Sequence, residues 1–127
     1  MGFWDDSQDA YGQVQNYDNQ SSLGHEILAG AASFGAFKMF EDHQRKEGKP
    51  VSHQFAKELL AGFAGAEVDK LAETKGMDFI DREKAKYHAK QQVEGMYDEH
   101  YVDGHGADQY DPNQYDAPVQ INNYNGY

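Results

Sequence analysis

EILAGAASFGAFKMFEDHQRKEGKPVSHQFAKELLAGFAGAE, residues 26–67, holds two apolar runs separated by a polar, Gly/Pro-marked turn. The eleven residues between Glu26 and Lys38 carry no charge and are apolar nearly all round, a pattern that predicts a helix buried on more than one side. Eleven residues are too few to cross a bilayer, which takes roughly 20. This first helix reads from Ser22 to Glu47, with Ser21 or Ser22 as N-cap. Gly48 and Pro50 end it, because Gly suits the left-handed cap and Pro cannot continue a helix. A second helix runs from Ser52 to Lys75, stopped by Gly76, and its centre LLAGFAGA repeats the first run at an offset of 32 residues. The link between them is short, so the two helices are expected antiparallel.

Counting inward from that turn sets Phe34 opposite Ala66, Gly35 opposite Gly65 and Ala36 opposite Ala64. Gly30, Gly35, Gly62 and Gly65 are thus expected as small-residue contacts that let the helices approach closely. Each costs about 0.5–1 kcal/mol relative to Ala inside a helix, a cost that close packing would offset. A third helix begins at Asp78, a good N-cap, and reaches about Tyr101. Phe79, Ala85, Ala89, Val93, Met96 and Tyr97 share one arc of it, with Arg82 and Lys86 intruding.

The whole chain is 127 residues with a formal charge of −11. Leu, Ile, Val and Phe make up 21 of them, about 17%, which is below the level at which a charged chain begins to look disordered. The deficit lies at the ends. Residues 1–21 and 102–127 each hold four Asp and no Lys or Arg, while all eleven bases lie in 22–101. The second of these segments is rich in Tyr, Asn, Gln and Asp, with a near-duplicate QYDP/QYDAP. Such composition buries too little apolar surface to offset chain entropy. The expected architecture is therefore all-α, a small helical bundle. It comprises an Ala/Gly-rich antiparallel hairpin and a third amphipathic helix over 22–101. The acidic segment 1–21 is expected disordered or partly helical, and 102–127 is expected as a disordered tail.

Two stretches resemble one known family. They are EDHQRKEGKPVSH from Glu41, continuing as FAKELLAGFAGAEVDKLAETKG from Phe55, and DREKAKYHAKQQVEGMYDEHY from Asp81. With AGAASFGAFKMFEDH from Ala29 they look like the fungal CipC-like antibiotic-response family over residues 22–101. The resemblance implies a small intracellular protein whose abundance follows stress or growth form. It implies no activity, so no catalytic residues carry over. A fainter likeness, through FGAFKMFEDH from Phe34, is to the plant abscisic-acid, stress and ripening family. That family's dense zinc-binding histidine clusters are lacking here.

Chemistry-bearing patterns are few. Cysteine is absent, which excludes disulfides, thiol catalysis and thiolate metal sites. His43 and Glu47 have the i, i+4 spacing of a helical metal site, and His53 lies just across the turn. No nucleophile elbow or phosphate loop is present, so the protein is expected not to be an enzyme, and no cofactor is implied. Arg82, Lys86 and Lys90 form one row, but Asp78, Asp81 and Glu83 crowd it, which disfavours nucleic acid. No secretory signal is apparent, and the cytoplasm is the expected compartment. Two long helices apolar nearly all round need more cover than one helix gives, so a homo-oligomer, or another protein partner, is expected. The leading expectation is a stress-response protein acting through protein contacts or self-assembly. The alternative is a carrier of a metal ion or small apolar ligand in a groove lined by Phe34, Phe37, Met39, Phe40 and Phe63.

Overall fold

A computed structural model describes residues 4, 7–8, 10–11, 25–76, 78–118 and 121. Among them three α-helices account for most of the chain: α1 (His25–Glu47), α2 (His53–Lys75) and α3 (Phe79–Tyr97). The last turn of α3 widens into a π-helical stretch, Asp98–Asp103. Each helix packs on both of the others, and the fold is the expected small all-α bundle.

The boundaries follow local chemistry. Gly48 takes a left-handed φ of 69° and its N–H returns to Gln44 O at 2.9 Å, ending α1. Ser52 accepts from the Phe55 N–H at 3.1 Å and starts α2. Gly76, at φ 71°, closes α2, and Asp78 accepts from the Asp81 N–H at 2.9 Å to start α3. The expected cap by Ser21 or Ser22 lies outside the described residues.

Burial runs in rows four residues apart. On α2 the buried row is Ala56, Leu60, Ala64, Val68 and Ala72; on α3 it is Ala85, Ala89, Val93 and Tyr97, continued by Tyr101. These are the i±4 ridges by which helices pack obliquely. Helix α1 is buried on nearly every side from Leu28 to Phe37, as its sequence predicts. Helix α2 is not: Gly62 and Ala66 face solvent. The two copies of the repeat therefore occupy different environments, α1 central and α2 peripheral.

The cover over α1 comes from the chain itself. Trp4 is 4% exposed and lies edge-on to Phe37 at 4.6 Å and Phe34 at 6.0 Å, while its Nε1–H donates to Met96 O at 2.9 Å. At the other end Tyr110, Pro118 and Ile121 are buried. Tyr110 forms an antiparallel bridge with Val51 through two 2.9 Å backbone bonds. The packed region thus extends past Tyr101, where the sequence placed its edge. The segment is poor in aliphatic residues, but its tyrosines supply large apolar rings together with hydroxyls that find buried partners.

Gly35, Gly62 and Gly65 do not hold backbones together. A Cβ on Gly62 would meet nothing within 4 Å, one on Gly65 only the Lys90 Cε at 3.7 Å, and one on Gly35 only the Glu67 side chain, nearest atom 2.8 Å. The expected Gly35–Gly65 approach is therefore not formed, because the oblique ridges turn Gly65 towards α3.

Candidate functional site

The most concentrated chemistry lies where the C-terminal ends of α1 and α3 meet the segment after α3. Glu41 sits on the buried side of α1 and is 2% exposed. Its Oε2 accepts from the Tyr101 hydroxyl at 2.5 Å. Its Oε1 accepts from the Tyr110 hydroxyl at 2.9 Å and from Arg45 Nε, one helical turn on, also at 2.9 Å. Arg45 then spreads its guanidinium over the C-terminal segment. Nη1 donates to Pro112 O at 3.0 Å, and Nη2 donates to Tyr115 O at 2.9 Å and to the Tyr101 hydroxyl at 3.2 Å. One ion pair therefore ties α1, the π-helical turn and residues 110–115 together.

Burial pushes the Glu41 carboxyl above its ordinary range, against the opposing pull of Arg45 and the two phenols. Burial, followed by the charge of Glu41, drives the Tyr101 and Tyr110 hydroxyls well above theirs. Both phenols therefore stay protonated as donors, and three donors converge on one carboxylate. A catalytic carboxylate has to reach a substrate atom at hydrogen-bond distance; Glu41 has both oxygens occupied by the protein. Beside it, His53 Nε2 lies 2.8 Å from Ala107 O and Nδ1 lies 2.6 Å from the Tyr97 hydroxyl. The carbonyl can only accept, so Nε2 carries the proton and Nδ1 accepts from Tyr97.

That arrangement bears on the residues expected to hold a metal. With Nδ1 and Nε2 both engaged, His53 has no lone pair left for a cation. His43 is exposed, with Nδ1 at 2.8 Å from Gln44 Oε1, and Glu47 is exposed at the helix end. Among the described residues no group of three or more His, Asp or Glu is arranged to hold a metal. His43 and Glu47 keep their i, i+4 spacing, while half-buried His53 is bonded to Tyr97 and Ala107.

The expected aromatic groove is core instead. Phe34, Phe37 and Phe40 are each fully buried, and Phe63 is partly buried against them. Phe40 packs edge-on to Tyr110 at 4.9 Å. Met39, 41% exposed, faces away from them. Gly30 and Gly35 are buried within α1, Gly65 is half-buried and Gly62 exposed. An open groove of about 450 Å³ does exist between α2 and α3, lined by His53, Gln54, Lys57, Glu58, Ala61 and Glu94. Of the expected site residues only His53 borders it. The basic row is partly spent: Lys86 pairs with Asp69 of α2 at 2.9 Å, with Arg82 at 4.0 Å from the same oxygen.

Sequence reasoning missed the Glu41–Arg45–Tyr101–Tyr110 cluster because nothing in the sequence sets Glu41 and Arg45 apart from an ordinary solvated i, i+4 pair. The available signal was Tyr97 and Tyr101, which continue the Ala85–Ala89–Val93 row and so had to point inward.

Residues 10–100 match the family described as virulence factor CipC-like. The chain belongs to that family. No curated protein and no solved structure matches it. The match to the CipC-like family takes in all three helices, including Glu41 and Arg45, and stops one residue short of Tyr101. Among the described residues no helix of this CipC-like chain is long and apolar enough to cross a membrane.

Proposed function

We propose that this CipC-like chain is a cytoplasmic stress-response protein without catalytic activity, working through protein contacts that include contacts with its own copies. The observation that supports this reading is the division of its side chains. The chemistry-bearing groups inside, Glu41, Arg45, His53 and three tyrosines, are committed to one another and to backbone carbonyls. Several large apolar side chains stand outside instead: Phe55, Phe79, Ile80 and Tyr87 are 49–71% exposed. A contiguous exposed apolar patch, unlike single exposed side chains, marks an association surface, and Ile80 and Tyr87 lie on one face of α3 two turns apart. Phe34, Phe37 and Phe40, expected to line a carrier's groove, are buried in the core.

Native mass spectrometry on untagged protein, purified without added metal, tests the proposal. Whole multiples of the chain mass, with dimer rising as concentration rises, are expected. A reproducible excess mass per chain would overturn the reading in favour of a carrier.

A further inference from the structure

Three tyrosine hydroxyls of the core donate to a base, and the bases differ in what they can accept. Tyr101 and Tyr110 donate to Glu41, whose oxygens also answer the Arg45 guanidinium. Tyr97 donates to His53 Nδ1 at 2.6 Å. The His53 Nε2–H is held by Ala107 O at 2.8 Å, which fixes the tautomer that leaves Nδ1 basic. The nearby indole of Trp4 has no such base: its Nε1–H donates to Met96 O at 2.9 Å, and a carbonyl does not keep a proton.

A phenol yields an electron readily only when its proton leaves too, because the protonated phenol radical is a very strong acid. Burial, followed by the charges of Glu41 and Asp98, holds the Tyr97 hydroxyl above its ordinary range, so it does not ionise beforehand. Its proton must move with the electron, and the bond to His53 gives it a path. The product is an imidazolium that donates through both nitrogens, to Ala107 O and to the Tyr97 oxygen. The Tyr97 ring is fully buried against Phe40 and Tyr101, so its radical is shielded from coupling with a tyrosine of another chain. Electrons reach it from the open groove of about 450 Å³ between α2 and α3, which His53 borders. Lys57 of that groove lies 6.0 Å from the Tyr97 ring centre, but its charge is paired with Asp98 at 2.6 Å.

We propose that Tyr97 and His53 form a proton-coupled redox pair that takes one oxidising equivalent from a small organic peroxyl radical. The electron passes from Tyr97 to the peroxyl radical, which takes a proton from solvent and leaves as hydroperoxide. The phenolic proton passes to His53 Nδ1, and Tyr97 becomes a neutral oxygen-centred radical. A one-electron reductant of the enediol class returns the electron, and His53 returns the proton. The step goes beyond the proposed function and does not depend on self-association.

Pulse radiolysis of the full chain with the trichloromethylperoxyl radical tests this, with the tyrosyl radical followed by absorption and freeze-quench electron paramagnetic resonance. The wild type is expected to form a long-lived tyrosyl radical, more slowly in deuterium oxide. Tyr97→Phe is expected to lose it, and Tyr87→Phe, which removes an exposed tyrosine, to keep it. His53→Gln preserves an acceptor for Tyr97 and a donor for Ala107 O, but an amide does not take the proton. It is expected to form the radical at least about tenfold more slowly and to lose the deuterium effect; a merely structural His53 would move neither. Circular dichroism checks that each variant keeps its helices. If Tyr97→Phe does not fold, His53→Gln and the deuterium comparison decide. A wild type without a tyrosyl radical, a radical that survives Tyr97→Phe or vanishes in Tyr87→Phe, or wild-type kinetics in His53→Gln would each overturn the proposal.

Discussion

Replacing Tyr101 by Phe removes one oxygen from the centre of the fold and nothing else. The ring is fully buried and keeps its packing against Tyr97 at 5.1 Å and Tyr110 at 5.2 Å, so no large cavity opens. The lost hydroxyl was the one described donor to Glu41 Oε2 and an acceptor for Arg45 Nη2. Hydrogen bonds to a charged group are worth about 1.5–3 kcal/mol, and the carboxylate oxygen left behind is buried. The expected loss is therefore about 2–3 kcal/mol, or about 7–11 °C in Tm for a chain of this size. Tyr110→Phe is the internal comparison. Its hydroxyl shares Oε1 with Arg45 Nε, so the carboxylate keeps a partner there, and the loss should be smaller, about 1–2 kcal/mol. Urea unfolding followed by circular dichroism reads both, with an unchanged slope showing that only stability moved. A Tyr101→Phe loss under about 0.5 kcal/mol, or a larger loss in Tyr110→Phe, would refute the view that Glu41 is a charged, donor-saturated knot.

Two glycine substitutions should act in opposite directions. Gly62→Ala adds a Cβ into open space on an exposed helix and should raise stability by about 0.5–1 kcal/mol. Gly104→Ala puts its Cβ 2.6 Å from His100 O and 2.9 Å from Glu99 O, backbone atoms that cannot step aside, and should cost about 1–3 kcal/mol. Chemical unfolding measures both, and equal effects would contradict the π-helical geometry. For pH, burial holds the His100 imidazole below its ordinary 6.5 while its Nε2–H donates to Asp116 O at 2.9 Å. His105 and Arg45 reinforce that lowering and Asp116 opposes it. The unfolded chain then takes up the proton first, so this contribution is present above 6.5 and is lost as pH falls through 6.5 towards the folded value. Glu41, shifted upward, acts with the opposite sign: its burial penalty is relieved as pH falls through its folded value towards 4.5. His100→Gln should therefore lose less stability than wild type on going from about pH 7.5 to 5.5; equal slopes would show that His100 carries none of the dependence.

The helix boundaries were legible because they depend on neighbours in sequence. Ser52, Asp78, Gly48 and Gly76 act within a turn of themselves, and each does what its residue type predicts. The buried face of α3 was legible in the same way, except at Phe79. A helical wheel averages over the whole helix, whereas an i±4 ridge advances about 40° with each step. By the first turn the ridge has moved to the Asp81 side, and Phe79, which shares a wheel position with Tyr97, faces solvent. The asymmetry between the two repeat copies was not legible. Glu26–Ala32 and Glu58–Ala64 are near-identical in character, and what separates them is Trp4, which packs on α1 from far along the chain.

The low aliphatic content and the buried ion pair have one cause. The ridges of α2 and α3 are lined largely by Ala: Ala56, Ala64, Ala72, Ala85 and Ala89. Helices meeting through alanine leave little space between them, so few large aliphatic residues are needed to fill it. Counting Leu, Ile, Val and Phe therefore understates this core. The space opens again towards the C-terminal ends of α1 and α3, where Phe40, Tyr97, Tyr101 and Tyr110 meet. Three of those four rings carry a hydroxyl, and a buried hydroxyl without a partner costs about 1–3 kcal/mol. His53 takes the hydroxyl of Tyr97, and Glu41 takes those of Tyr101 and Tyr110. A lone buried carboxylate would itself be costly, so Arg45 sits one turn along to pair with it and reaches the carbonyls of Pro112 and Tyr115. The charged pair is thus a consequence of building one end of the core from tyrosine. It also fixes the path of the C-terminal segment, because only in this course do those carbonyls meet the remaining guanidinium N–H groups.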